Sequence, residues 1–362
     1  MAAVFLAFLL LFAPVAQCPI WVETVAGTGI PGFLDGEAAR FNLPQAVLVI
    51  SEGEIVVLDT FNNLVRSVSG CETSTLSGRL LAPDQFGFPA GSRLDGELGE
   101  SLFFRPIGGA VDFLGRIMVA DAFNHVIRVI DDEHVFTLAG SGDSGHADGE
   151  TAEAMFNHPS DVAFGPCGSL FVADTLNHVV RKIDIYGMVS TIAGIPGSYG
   201  FYDGNADAAL FNAPMGIAVS GDGVIFVSDT GNHLIRKISE GVVTTLAGEL
   251  VFPSDVDWDE PGDFDEEPLG GFLDGETGWF NLPMGIALMD GIVVVADAAN
   301  HRIRGIKPDG TVFTIAGTGE VGAHGGGLEE ATFHFPRGLD VYENTIFVAD
   351  SGNNKIRIIQ MR

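Results

Sequence analysis

Asp229-Thr-Gly-Asn-His-Leu-Ile-Arg236 is the stretch whose recurrence decides the fold. The same phrase, an Asp, an Asn followed by His or Asn, then an Arg, returns at Asp59 to Arg66, Asp121 to Arg128, Asp174 to Arg181, Asp297 to Arg304 and Asp350 to Arg357. Steps of 53 to 68 residues are too long for a helical-hairpin repeat and suit a four-stranded blade with one extended loop. Around the phrase lie four β-branched runs bounded by Gly, Asp and Asn: 216–219, 224–229, 234–238 and 242–248. They read as strands a (inner) to d (outer), joined by tight turns. The chain opens on a lone d-type strand at 22–27 and ends on a c-type strand at 355–359, so the first strand is expected to complete the last blade. The expected fold is all-β, a six-bladed propeller whose ring leaves no large free edge.

The repeats resemble the NHL family, named for the Asn-His-Leu that stands here as Asn232-His233-Leu234. The resemblance runs from Trp21 to Arg362, with Asn62-Asn63 and Asn353-Asn354 replacing Asn-His in the first and last copies. Six identical parts cannot be six active sites, so the Asp, Asn-His and Arg positions read as blade-building parts. Asp and Asn bond neighbouring backbone in turns, and Arg bridges to carboxylates.

With 48 acidic against 18 basic residues, the formal charge of −30 repels phosphate backbones and anionic lipid. Nucleic-acid binding, which the resemblance would allow, is therefore not expected, and neither is anionic membrane binding. Met1 to Ala16 is an apolar run of signal-peptide length, although no Lys or Arg precedes Arg40. Residues 1–17 are expected to be a signal and 18–362 the propeller, which places the protein outside the cell or in a secretory lumen. Cys18, Cys71 and Cys167 make no metal motif; a Cys18–Cys71 disulfide and free thiols both remain open.

Function is expected where the repeats differ, in the connections from d to the next a. Each holds a Phe three residues before a Pro (Phe41, Phe103, Phe156, Phe211, Phe280, Phe333), read as an anchor, and often an Asp-Gly followed by a short helical stretch. The second and fifth loops, Gly78 to Pro106 and Gly248 to Pro283, are the longest and lie opposite one another in a six-fold ring. Phe86 and Phe88 stand in the one, Trp258 and Phe264 in the other. The fifth also holds Asp255, Asp257, Asp259 and Glu266 at partly calcium-loop spacing, but the turn-forming Gly is Glu260 and Pro261 follows. Calcium is thus a candidate ion without an EF-hand.

Two enzymatic propeller classes bear comparison. Resemblance to the zinc-dependent peptidyl-hydroxyglycine lyases would put His just after the Pro of the inner strands, where this chain has Gln45, Ile107, Ser160, Met215, Met284 and Arg337. His146, His158, His324 and His334 in the third and sixth loops are the alternative zinc candidates. Resemblance to calcium-dependent lactonase-like hydrolases would require carboxylates on inner strands, and only Asp161 is read as offering one at the mouth. No catalytic constellation is signalled. The expectation is a monomeric propeller that recognises a protein or peptide through the loop face, at Gln45, Ile107, Ser160, Asp161, Met215, Met284 and Arg337 and the loop walls; a metal-dependent lyase or hydrolase in the same channel is the alternative.

Overall fold

In the fourth repeat, strand Val242–Ala247 stops at Gly248, whose φ of 104° belongs to the left-handed region. A Cβ there would sit 2.9 Å from the His233 carbonyl oxygen, so only glycine lets the strand end against the Asn-His turn. The turn itself is one short 3-10 turn, Thr230–Asn232, closed by His233 in the left-handed conformation. Its Asp, Asn and Arg form a buried network. Asp229 accepts the Asn212 N–H at 2.7 Å, Asn232 Nδ2 at 2.8 Å and Arg236 Nη1 at 2.6 Å. Arg236 also donates to the carbonyls of Leu210 and Tyr202 and to Asp203, above the ring of Phe211 at 5.1 Å. Each repeat builds the same Asp–Arg pair, at 2.6–3.1 Å. A buried guanidinium is tolerable because carboxylates and carbonyls occupy its Nη donors, leaving only Nε without a partner.

The computed structural model describes residues 21–85, 87–252 and 268–361. They form six antiparallel sheets, each ordered a-b-c-d from the axis outward. Inner strands are Ala46–Ser51, Pro106–Val111, Pro159–Phe164, Pro214–Val219, Pro283–Met289 and Pro336–Tyr342. Each touches the inner strands of both neighbours, and the first touches the last, so the ring is closed. Closure falls where expected: Trp21–Ala26 pairs antiparallel with Lys355–Gln360 as the outer strand of the sixth blade.

Six apolar clusters fill the six seams between adjacent blades. That between the third and fourth, for example, joins Ala173, Val180 and Ala193 to Phe211, Ile217 and Val227. The six loop phenylalanines are buried, which bears out their reading as anchors. The helical stretch expected after each Asp-Gly is not what forms. At Asp203 the chain makes a two-residue strand, Gly204–Asn205, against the outer strand of the fourth blade, then a single turn in which Ala208 and Ala209 donate to Asn205 O. Too few residues separate the Asp-Gly from the buried Phe to propagate a helix. Cys71 and Cys167 lie in turns on the face away from the loops, exposed and unpaired; Cys18 is outside the described residues.

Candidate functional site

The residue before each inner-strand Pro has a positive φ: Leu43, Arg105, His158, Ala213, Leu282 and Phe335, at 46–56°. Such strain persists only when neighbours hold it. Here the preceding blade does so, through the side chain of its Asn-His turn. His125, His178, His233 and His301 accept these N–H groups through Nδ1 at 2.9–3.2 Å. Asn63 and Asn354, the two departures from the repeat, accept the same bond through Oδ1 at 2.9 and 2.8 Å. The repeat histidines are therefore blade-to-blade staples. Burial lowers the pKa of His125, His178 and His301, which keeps the accepting nitrogen unprotonated.

This hinge, repeated six times, brings Gln45, Ile107, Ser160, Met215, Met284 and Arg337 to the wall of one central cavity of about 370 Å³. In four of the six the residue that follows is Gly, which lets the strands close on one another: a Cβ at Gly338 would meet the Gln45 carbonyl oxygen at 2.3 Å. Ile107, Met215 and Met284 make the wall apolar. Ser160 is committed internally, its Oγ donating to the Met215 carbonyl at 2.7 Å and accepting from Thr175 Oγ1 at 2.6 Å. Arg337 donates to Gln45 Oε1 at 2.8 Å and lies 5.2 Å from the ring of Phe335.

Asp161 occupies a position that is Gly in four other inner strands. Its oxygens accept from Val162 N at 2.9 Å and Ile217 N at 3.1 Å, tying the third blade to the fourth. Burial pushes this carboxyl up to about 7, and the nearby Asp340 adds to the shift. Asp340 corrects the reading that only Asp161 offers a carboxylate. It lines the same cavity from the sixth blade, opposite the third, and accepts from Val49 N and Val341 N, each at 2.8 Å. Its signal was an acid at a strand position that is Leu48 or Ala in other blades.

The remaining candidates do not converge. Phe88 is exposed and packs edge-on to Phe61, 5.6 Å away, under the Arg105 guanidinium. His146 Nε2 bonds Thr191 Oγ1 at 2.7 Å, His158 packs on His125, and His334 on His301. The His324 carbonyl accepts from Arg357, in a loop that lacks the Asp of the other five. Among the described residues, no three His, Cys, Asp or Glu side chains group as metal ligands. Phe86, Trp258, Phe264, Asp255, Asp257, Asp259 and Glu266 lie outside the described residues. Sequence reading missed the apolar rim of the loop face, where Ile30, Phe33, Leu34, Tyr199, Tyr202 and Phe272 are exposed.

Residues 211–238 match the NHL repeat model. Over 360 residues the chain is 29% identical to NHL repeat-containing protein 2 of Gallus gallus, covering 88% of this chain and 46% of that one. It is 28% identical over 283 residues to Protein SUPPRESSOR OF QUENCHING 1, chloroplastic, of Arabidopsis thaliana, covering 74% of this chain and 26% of that protein. The chain thus spans less than half the length of these relatives. Among solved structures, a Bacteroides thetaiotaomicron protein of unknown function superposes with a TM-score of 0.67 at 17% identity, covering 94% of this chain and 76% of the other. Streptogramin B lyase does so at 0.53 and 13%, covering 95% and 98%. At such identities the likeness extends to the fold alone. A repeat built six times from the same buried parts, the match of its fourth copy and relatives bearing the same repeat together place this chain among the NHL-repeat proteins, as a six-bladed β-propeller.

Proposed function

We propose that this propeller is a recognition module that binds a protein or peptide at the mouth of its central channel and across the surrounding loop face. The observation that carries this reading is the convergence of Ile107, Met215 and Met284 with Arg337 and Gln45 on one cavity. Exposed apolar side chains on the loops, none of which lines the cavity itself, extend the same reading to the loop face, since apolar surface of that kind suits a partner. The charge of −30 favours a partner other than nucleic acid or anionic lipid. We place its work in the secretory pathway or outside the cell on the apolar run Met1 to Ala16; N-terminal sequencing of the mature protein that began at Met1 would remove that placement.

The test uses Met215, because Met284 is nearly buried and its replacement would cost stability. Met215→Glu should abolish partner capture from the native source while Met215→Leu retains it, both with an unchanged unfolding midpoint. Capture unaffected by Met215→Glu removes the channel mouth from the proposal. The second reading, a metal-dependent lyase or hydrolase, is favoured by the opposed carboxyls of Asp161 and Asp340. Near-stoichiometric zinc or calcium in protein purified without chelator, detected by mass spectrometry, would move the weight to it.

A further inference from the structure

Where this chain buries a repeat guanidinium it supplies the counter-charge itself. Arg66, Arg128, Arg181, Arg236 and Arg304 each meet two aspartates, and Arg357 meets one. Arg337 breaks that pattern. It stands in the channel wall, and among the described residues it forms no ion pair. Of the five donors a guanidinium carries, one is given to the neutral Gln45 Oε1. One face of the cation rests near Phe335. Burial depresses its pKa with no carboxylate to oppose the shift. The channel acids do not serve, since Asp161 and Asp340 spend their oxygens on backbone N–H groups of their own and adjacent blades.

A desolvated cation with spare donors beside a cavity of about 370 Å³, part of whose wall is apolar, is an incomplete pair. We propose that the channel mouth receives a carboxylate carried on a compact apolar group, with Arg337 as the cation that holds it and Ile107, Met215 and Met284 as the apolar wall. The planar guanidinium matches the two oxygens of a carboxylate, which a point charge would not. A single negative charge is also what an acidic protein repels least; phosphate groups are opposed more strongly by the charge of −30. On the recognition reading above, on which this inference rests, the group is either the C-terminus of a peptide ending in an apolar residue or an acidic side chain flanked by apolar ones.

The experiment titrates the full chain with N-acetylmethionine and with its amide, which differ only in the carboxylate, followed by saturation-transfer NMR. The acid should bind, and the amide should bind weaker by about tenfold or more, the loss of one charge-assisted pair. Arg337→Gln should remove the difference. Gln45→Glu offers a second test that does not delete the cation: it places an internal carboxylate on Arg337, and should block the acid while raising Tm by roughly 2 °C. A peptide ending in a free Met, compared with an amidated peptide carrying an internal Glu, separates the two sources of the carboxylate. Equal binding of acid and amide, binding of neither, or tighter binding of inorganic phosphate overturns the proposal. If Met215→Glu abolishes partner capture and Arg337→Gln does not, recognition at the mouth stands and the carboxylate falls.

Discussion

His233 and Asn232 divide one turn between two tasks. Asn232 donates within its own blade, to Asp229 and to the Gly200 carbonyl, while His233 reaches across the seam to Leu282 N. Because Asn63 and Asn354 make the cross-seam bond with an amide oxygen, His233→Asn should shift stability by less than about 1 kcal/mol. His233→Ala should cost about 2 kcal/mol, combining a stranded N–H with a left-handed backbone that Ala tolerates less well. Urea unfolding measures both, and an Asn variant as unstable as the Ala variant would show that the ring does something beyond accepting one bond. The Asp, Asn and Arg of this network were legible as structural parts because they recur together. The second carboxylate on the first five of these arginines was not, since it sits 30 to 33 residues upstream, in the Asp-Gly of the loop. Local reading sees a turn there; only the folded blade brings the loop back over its own strand c.

The inner strands carry the difference between blades. Five of the six pair irregularly just after the Pro, as between Pro214 and Gly216 or Pro336 and Leu339, while the first shifts at its far end, between Val49 and Ser51. An extra residue of that kind switches which side chains face the axis, so alternation counted from the Pro loses the face. That is why the residue after the Pro could be assigned to the mouth by position, whereas Asp340 was passed over within an apolar run. Asp161 gives the strand a pH signature. Its carboxyl titrates near 7 in the folded protein, against an ordinary value of 3.8. Between those limits the folded chain holds the proton more firmly than the unfolded chain, so this stabilisation is complete below about 4 and is lost as pH rises through 7. The aspartates of the buried pairs in the first five blades, pushed by burial to about 6, act in the same direction. Tm should therefore fall between pH 5 and pH 8. Asp161→Gly, which restores the residue of its neighbours, should flatten part of that fall in calorimetry; an unchanged slope would mean that Asp161 does not titrate there.

At the scale of the whole molecule, stability rests on every seam being filled, and the sixth blade has its outer strand only by loan from the start of the chain. Removing residues 21–26 should bare the edge of Lys355–Gln360 and strip Val22 and Ala26 from the clusters on either side of that blade. Light scattering after size exclusion should then find soluble aggregates that the full chain does not form; a monodisperse, cooperatively unfolding remnant would argue that five blades and an open sheet suffice. This closure was legible from the order of strand types alone, d first and c last, because the pattern of one repeat fixes what each end lacks. The same loan sets a schedule. The bond from Leu43 N to Asn354 spans 311 positions, and Trp21–Ala26 meets its first strand partner only at Gly326–Gly327 and its main one only when Lys355–Gln360 has left the ribosome. The earliest strand is the last to pair, so the nascent chain grows as an open arc and closing it is the slow, long-range step. An arc held open too long, by a stalled ribosome or a truncated message, presents two unfilled seams to whatever surveys unfinished chains.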